Sequence, residues 1–423
     1  TTPNPLAIEV DRAEGVYLYG PDGKEYMDMI SGISVSNVGH CHPQVVQALQ
    51  EQSAKFMHLM VYGEYVYSPQ TKLAEALIEV LPESLDNFYF TNSGTEATEG
   101  AFKLAKRYTG RAEIISCFQS YHGSTAGALS AMGDETYQTA FRPLVPGHSH
   151  IRYNTVEDLT NITESTAAVI IELISAEKGV VIGNYDYFQL LRKRCTEVGC
   201  LLIFDEIQTG CGRTGTMFAF EQYDVIPDIL LIGKGFGGGM PIAAFIANKE
   251  VMRTLSFDPI LGHISTYGGN AVCCAAALAC LGVLKENNLL TEVNVKGKGP
   301  ANLLASFQSE KEKGTKNGDP VILINVKGEK LALGHYFEGS IAVRVLSFDG
   351  EQTIEDILKD KLEKAYSYRQ QLGLVIDALT FRDTVVAAGI ESGRTIRIVQ
   401  QLSQPEDHPI NLFHPESNYL KGL

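Results

Sequence analysis

The chain has no Cys-x-x-Cys pair and no His-Glu-x-x-His, although 8 Cys and 10 His occur among its 423 residues. Their scatter argues against a zinc site and against a disulfide framework, so no metal is expected and the thiols read as reduced, in a cytoplasmic protein. Equally missing is any cluster of Lys and Arg interleaved with aromatics, and 50 acidic against 35 basic residues leave a net charge of -15. Such a surface does not suit a nucleic acid. No basic stretch followed by an apolar one stands at the start, so no signal peptide is expected. The longest apolar run, Ala271 to Leu284, is shorter than the ~20 residues that span a bilayer. A soluble protein with no membrane partner is the expectation. Internal repeats and low-complexity segments are absent too.

Composition is otherwise that of a large globular protein. With 44% hydrophobic and 20% charged residues, the chain can bury a sizeable core and exceeds one ordinary domain. Near the start, apolar residues alternate around Pro21-Asp22-Gly23 between Gly15 and Asp28, which predicts a β-hairpin. Val45, Val46, Leu49 and Phe56, then Leu73, Ala76, Leu77 and Val80, recur at helical spacing, which predicts two helices. From about Phe88 to Ala247 short β-rich runs alternate with helical stretches. The runs are Phe88–Phe90, Glu113–Ser116, Ala168–Glu172, Leu201–Phe204, Ile229–Ile232 and Ile242–Ala247. This alternation predicts parallel βαβ units, with helices covering both faces of the sheet. Beyond Lys285 the signal weakens: Ser309 to Gly318 reads as an exposed loop and Thr353 to Leu372 as a helix.

Four polar clusters fall at the ends of these strands, where an open α/β sheet places its ligands. Thr91-Asn92-Ser93-Gly94-Thr95-Glu96-Ala97-Thr98-Glu99 follows Phe88–Phe90 and opens a helical stretch, so backbone amides and the helix dipole are available to a phosphate. Alone, it could equally be an ordinary N-cap with a capping box. Ser120-Tyr121-His122-Gly123-Ser124-Thr125 offers an aromatic that could stack on a flat ring, though a surface turn with a half-buried tyrosine reads the same way. In Leu201-Leu202-Ile203-Phe204-Asp205, four apolar residues deliver an acid to a strand end, where it pairs with a buried cation or caps a helix. Finally, Lys234 sits among glycines directly after Ile229–Ile232. A lysine surrounded by backbone and lowered in pKa by burial can act as a nucleophilic amine. The alternative, a phosphate loop with a solvated lysine, lacks the P-loop spacing. A phosphate cradle, an aromatic, an acid for a pyridinium nitrogen and an amine for an aldehyde together form the parts list of pyridoxal phosphate.

The same residues resemble the class III aminotransferases (ornithine, acetylornithine and GABA type) of fold type I. The resemblance runs from about Gly15 to Leu284. It rests on Ser31-Gly32-Ile33, Gly39-His40-Cys41-His42-Pro43, Asn92 to Ala97, Tyr121-His122-Gly123, Phe204 to Gly215, the Lys234 run and Ser265 to Asn270. It implies an α/β fold: a large domain whose mostly parallel seven-stranded sheet is covered by helices, and a smaller α+β domain built from both terminal segments. The expected segments are 1–60 and 291–423 for the small domain and 61–290 for the large one. Lys234 would form the Schiff base and shuttle a proton, and Asp205 would keep the ring nitrogen protonated. Ser93, Gly94 and Thr95 would hold the phosphate, Tyr121 would stack on the ring, Gln208 would approach the ring hydroxyl and His122 would lie beside the cofactor. Thr266 would reach the neighbouring subunit's phosphate, which implies a homodimer.

On the substrate side the resemblance implies Ile33 and Glu172, and it is there that the chain departs from its pattern. Ser124 stands where members that bind a second carboxylate carry Arg after His-Gly, and Glu172 to Glu177 lacks the family's Pro and Gln. Two arginines in β-like runs, Arg344 and Arg397, are candidates for gripping the substrate carboxylate. The implied reaction is transfer of an amino group from an amino acid or ω-amine to a 2-oxo acid in two half-reactions. A racemase, epimerase or aminomutase would use the same cofactor machinery, and a nucleotide-binding protein would use the glycine-rich runs without a Schiff base.

Overall fold

A computed structural model describes residues 8–28, 30–286 and 289–290 in full, and the backbone of five strands beyond residue 319. The expected loop at Ser309–Gly318 and helix at Thr353–Leu372 lie outside the described residues. By contacts the chain divides into two units, Ile8–Ala305 and Ser306–Leu423 with Thr1–Ala7.

The first unit begins with three antiparallel strands, β1 (Arg12–Glu14), β2 (Tyr17–Tyr19) and β3 (Glu25–Met27). The Pro21-Asp22-Gly23 turn joins the last two, with Gly23 at φ +79°. Helices Pro43–Lys55 and Ser68–Ile78 each begin with Pro in the first turn, where its missing N–H costs nothing. Both pack on helix Ala271–Glu286. That helix is apolar almost all round and is correspondingly buried along its length.

The central sheet contains β4 (Asn87–Thr91), β5 (Glu113–Cys117), β6 (His148–Ile151) and β7 (Thr166–Glu172). A short hairpin, β8 (Ile174–Ser175) and β9 (Val181–Ile182), precedes β10 (Leu201–Asp205), β11 (Ile229–Ile232) and β12 (Ala243–Ala247). The seven-stranded order is β4-β12-β11-β10-β7-β5-β6. Only β12 runs against the rest, pairing antiparallel with both β11 and β4. The parallel expectation for that run is therefore corrected. Too few residues separate Ile232 from Ala243 for a crossover, which takes a dozen or more, so the chain returns antiparallel. Strand β6 carried little apolar signal in its His-Ser-His-Ile sequence and lies at the sheet edge.

Every residue of β7, β10, β11 and β12 is buried. Leu202 and Phe204 belong to one core cluster, Leu201 and Ile203 to the other, so successive side chains of β10 enter opposite layers. A sheet covered on both faces accepts such uninterrupted apolar strands. Its chemistry then concentrates at the carboxyl edge, where Asp205, Glu172 and the residues after Ile232 emerge.

In the second unit, β13 (Pro320–Ile324), β14 (Lys330–Tyr336) and β15 (Val343–Ser347) form an antiparallel sheet, and β16 (Thr384–Glu391) pairs with β17 (Arg394–Gln401). Arg344 and Arg397 lie on β15 and β17, but their side chains are outside the described residues. Among the described residues no helix is long and apolar enough to cross a membrane.

Candidate active site

Ser93 ends the turn after β4 and caps helix Gly94–Thr109, with the Glu96 N–H donating to its hydroxyl at 3.4 Å. Glu96 in turn accepts from the backbone and side-chain amides of Asn92 at 2.8 and 2.9 Å. The Gly94 and Thr95 amides in the first turn have no intrahelical carbonyl to bond, and they point toward whatever anion approaches the helix. Gly94 is required by packing, since a Cβ there would stand 2.8 Å from Ile207 Cδ1. The N-cap turn is the one where the sequence places a candidate anion site.

The Tyr121–Thr125 loop is fastened to that helix. Thr95 and Thr125 share a hydroxyl hydrogen bond of 2.7 Å, Thr98 donates to the His122 carbonyl at 2.9 Å, and Glu99 accepts from Thr125 Oγ1 at 2.7 Å. Gly123 sits at φ +128° with its Cα against Thr95, leaving no room for a side chain. Thr98 and Glu99 belong to the cluster the sequence marks after Phe88–Phe90, but their fastening of this loop had no sequence signal, because their partners lie in a loop that only the fold brings near. Tyr121 is half exposed, its hydroxyl 3.1 Å from Ser124 Oγ and its N–H donating to Glu172 Oε2 at 3.3 Å.

At the sheet edge Asp205 is buried, and its neighbours in register are Glu172 on β7 and Leu231 on β11. Asp205 Oδ2 lies 2.7 Å from His122 Nδ1, and Oδ1 accepts from the Ile207 N–H at 3.1 Å. His122 is also buried, and among the described residues its Nε2 has no hydrogen-bond partner. Asp205 is thus held at both carboxylate oxygens, by the His122 ring and by the Ile207 amide.

Lys234 begins a short turn after β11 with φ +45°, a left-handed conformation that costs a non-glycine residue about 1 kcal/mol or more. Its Nζ donates to Gln208 Oε1 at 2.9 Å. Burial lowers the lysine pKa, with Arg213 adding to the effect and Asp205, Glu172 and Glu177 opposing it. Ile207 packs between the two ends of the site: Gly94 approaches it from the helix, and a Cβ at Gly233 would stand 3.4 Å from its Cγ2. The geometry thus gathers Ser93, Gly94, Thr95, Tyr121, His122, Glu172, Asp205, Gln208 and Lys234 around one edge.

Ile33 and Thr266 are not joined to this cluster. Ile33 is exposed, in a turn where Ser31, Gly32, Ile33 and Ser34 all have positive φ. Asp28 holds that turn by accepting from the Ile30 and Ser31 amides at 2.9 and 2.8 Å, and it meets His40 Nε2 at 2.7 Å. Thr266 is exposed beside Ser265, whose hydroxyl accepts from Asn92 Nδ2 at 3.2 Å.

Two buried carboxyls were overlooked or undervalued in the sequence. Glu206, next to Asp205, accepts from Ala219 N, Phe220 N and Thr209 Oγ1 at 2.7, 2.8 and 2.9 Å, and so fixes the loop that carries Gln208. Burial pushes both Glu206 and Glu172 up to about 7, from an ordinary value of 4.5. The folded chain therefore binds more protons than the unfolded chain between about pH 4.5 and 7, and stability falls as pH rises through that window. The urea midpoint is expected to drop from pH 5 to pH 8, and Glu172→Gln, which stays neutral, is expected to flatten the drop. An unchanged slope in that variant would remove Glu172 as a cause.

An anion-binding helix terminus, a buried acid and a desolvated lysine at one carboxyl edge suit pyridoxal phosphate. They define a PLP-dependent α/β enzyme of fold type I. The chain belongs to the class-III aminotransferases: the model of that family matches residues 2–317. It is 42% identical over 300 residues to the acetylornithine aminotransferase of Methanocaldococcus jannaschii, covering 69% of this chain and 74% of that protein. Its fold is similar to an (S)-enantioselective omega-transaminase from Thermomicrobium roseum, with a TM-score of 0.68, 30% identity and 89% of each chain covered. It is also similar to a taurine:2-oxoglutarate aminotransferase from Bifidobacterium kashiwanohense solved with PLP and glutamate, with a TM-score of 0.67, 28% identity and 86% and 85% covered. The protein is a PLP-dependent transaminase acting on an amino donor and a 2-oxo acid.

Proposed function

We propose that Lys234 carries the cofactor and moves the proton of the reaction, and that Asp205 supplies the charge that makes the cofactor an electron sink. The observation that carries this reading is the pairing of a lysine lowered in pKa by burial with a buried carboxylate at adjacent strand ends. Bound pyridoxal phosphate supplies an aldehyde for the amino group and a protonated ring that withdraws electrons from the donor carbon. A neutral Lys234 amine takes the proton from that carbon and returns it elsewhere, while Gln208 holds Nζ in place. Asp205, oriented by His122, keeps a proton on the ring nitrogen, and Ser93, Gly94 and Thr95 anchor the phosphate. Tyr121 covers one face of the ring. Ile33 and Glu172 form part of the substrate side.

We further place the active sites at the interface of a homodimer, with Thr266 completing the partner's phosphate site. Exposed Met57, Met60, Val66, Ile260, Ile264 and Tyr267 support this. Their segments are joined by Asn270 donating to the Met57 carbonyl at 3.0 Å and by the His58 and Tyr267 rings at 4.8 Å. Apolar surface of that extent calls for a partner. A single-copy mass in sedimentation would overturn the dimer. Eight free thiols, seven of them buried, support a reducing cytoplasm, and recovery of the protein from an extracytoplasmic fraction would overturn that placement.

The deciding experiment screens amino donors against 2-oxoglutarate and pyruvate on wild type and Ser124→Arg. Wild type should retain an amino group from the donor and deliver it to fresh oxo acid after the donor is removed. A racemase or aminomutase would turn over with no acceptor. Ser124→Arg should raise kcat/KM for donors with a second carboxylate by about tenfold, because a guanidinium binds a carboxylate bidentately. An unchanged donor profile would mean that position 124 does not face the substrate.

A further inference from the structure

Arg213 belongs to the loop after Gln208, and it is a cation in search of an anion. Its Nε is buried with no hydrogen-bond partner among the described residues. The Nη2 group donates to the side-chain oxygen of Asn37. Asn37 is itself fixed, its Nδ2 donating to the Cys211 carbonyl at 2.8 Å. That carboxamide lies hard against Gly235, the residue after Lys234, where any Cβ would collide with it. The guanidinium is therefore one side chain away from the backbone that carries the reactive amine.

Other partly buried arginines in the same unit are better provided for. Arg111 donates to the Thr166 and Val198 carbonyls, Arg194 donates twice to the Ile162 carbonyl and meets Glu197, and Arg192 pairs with Asp228 at 2.7 Å. Among the described residues Arg213 forms no ion pair and has one neutral acceptor. Taking a guanidinium out of water costs several kcal/mol unless an anion compensates. Burial lowers the Arg213 pKa, and its charge contributes to lowering that of Lys234. A planar fork of donors, tied through Asn37 to the residue after Lys234, matches the geometry of a carboxylate.

We propose that Arg213 is a specificity-determining residue whose guanidinium binds a carboxylate of the 2-oxo acid or amino donor poised over Lys234, with Asn37 orienting the fork. This rests on the transaminase reading. It assigns a substrate contact to a loop residue that the sequence reading quoted only as part of a motif.

The test compares wild type, Arg213→Gln and Arg213→Lys, each loaded with pyridoxal phosphate and checked for unchanged cofactor content. Acceptors are 2-oxoglutarate and pyruvate on one side and propanal, which has no carboxylate, on the other. In parallel, calorimetry measures the binding of glutarate, a dicarboxylate that cannot react. Arg213→Gln should raise KM for the oxo acids about 30-fold or more and weaken glutarate equally, since hydrogen bonds to charged groups are the strong ones. KM for propanal should move less than threefold. Arg213→Lys should recover part of the loss, as a point charge replaces a fork. Equal losses for propanal and the oxo acids would make Arg213 structural and overturn the proposal. So would unchanged glutarate affinity, or no glutarate binding to wild type. Absence of amino transfer in wild type would instead sink the transaminase reading, while the glutarate arm would still decide the role of Arg213.

Discussion

Replacing Lys234 by alanine is expected to cut turnover by about 10^4-fold or more while leaving pyridoxal phosphate bound. Two functions are lost together, the amine that engages the aldehyde and the base that moves the proton, and the second alone contributes about 10^2 to 10^4. Retention is expected because the proposed phosphate end is formed by other residues: the Ser93 turn, the first amides of helix Gly94–Thr109, and the loop pinned by Thr95, Thr98 and Glu99. Lys234→Arg should be as inactive as the alanine variant. It keeps the charge opposite Asp205 but cannot shed its proton, and the arrangement matters because it lowers the lysine pKa. Cofactor absorbance after gel filtration, together with the turnover of each variant, checks both halves. More than about 1% residual turnover in Lys234→Ala would mean that another group moves the proton.

The placement of Asp205 and Lys234 was legible because local sequence and fold agree there. Asp205 follows four apolar residues and Lys234 follows another four, so strand ends alone brought them to one edge. The N-cap signature at Ser93 was equally local. Less could be read where the fold overrides the local pattern. Gly32 permits the left-handed turn at Ser31–Ser34, but Ile33 opposes it, and Asp28 and His40 hold it from outside. The reversal of β12 was available from loop length, yet its Ile242 to Ala247 run looks like any buried parallel strand. Glu206 points away from Asp205 to the amides of Ala219 and Phe220, 13 and 14 residues later, a contact with no signature in spacing. On the substrate side the pattern itself diverges, at Ser124 and between Glu172 and Glu177. Arg213 was hidden for the opposite reason: it sat inside a matching motif, where its lack of a counter-ion cannot be seen.

Asp205→Asn separates charge from position more cleanly than any other change in this site. Asparagine has the same shape, and its oxygen can still accept from His122 Nδ1 or from the Ile207 N–H, which Asp205 meets at 2.7 and 3.1 Å. What disappears is the negative charge that stabilises a proton on the ring nitrogen. A fixed charge aimed at a site of developing charge is worth about 10^2 to 10^3 in rate within a desolvated pocket, and the loss should appear in the donor half-reaction with little change in donor KM. Neutralising Asp205 also removes the leading charge that opposes the lowering of the Lys234 pKa. The acidic limb of the profile, where Lys234 takes up a proton, should then move to lower pH, so the variant should lose rate yet deprotonate Lys234 more easily. A slow enzyme with a pH profile displaced downward is the expected pair of results. A rate within tenfold of wild type would show that the ring nitrogen needs no carboxylate here. A low rate with an undisplaced profile would mean that Asp205 acts on the cofactor without setting the field at Lys234.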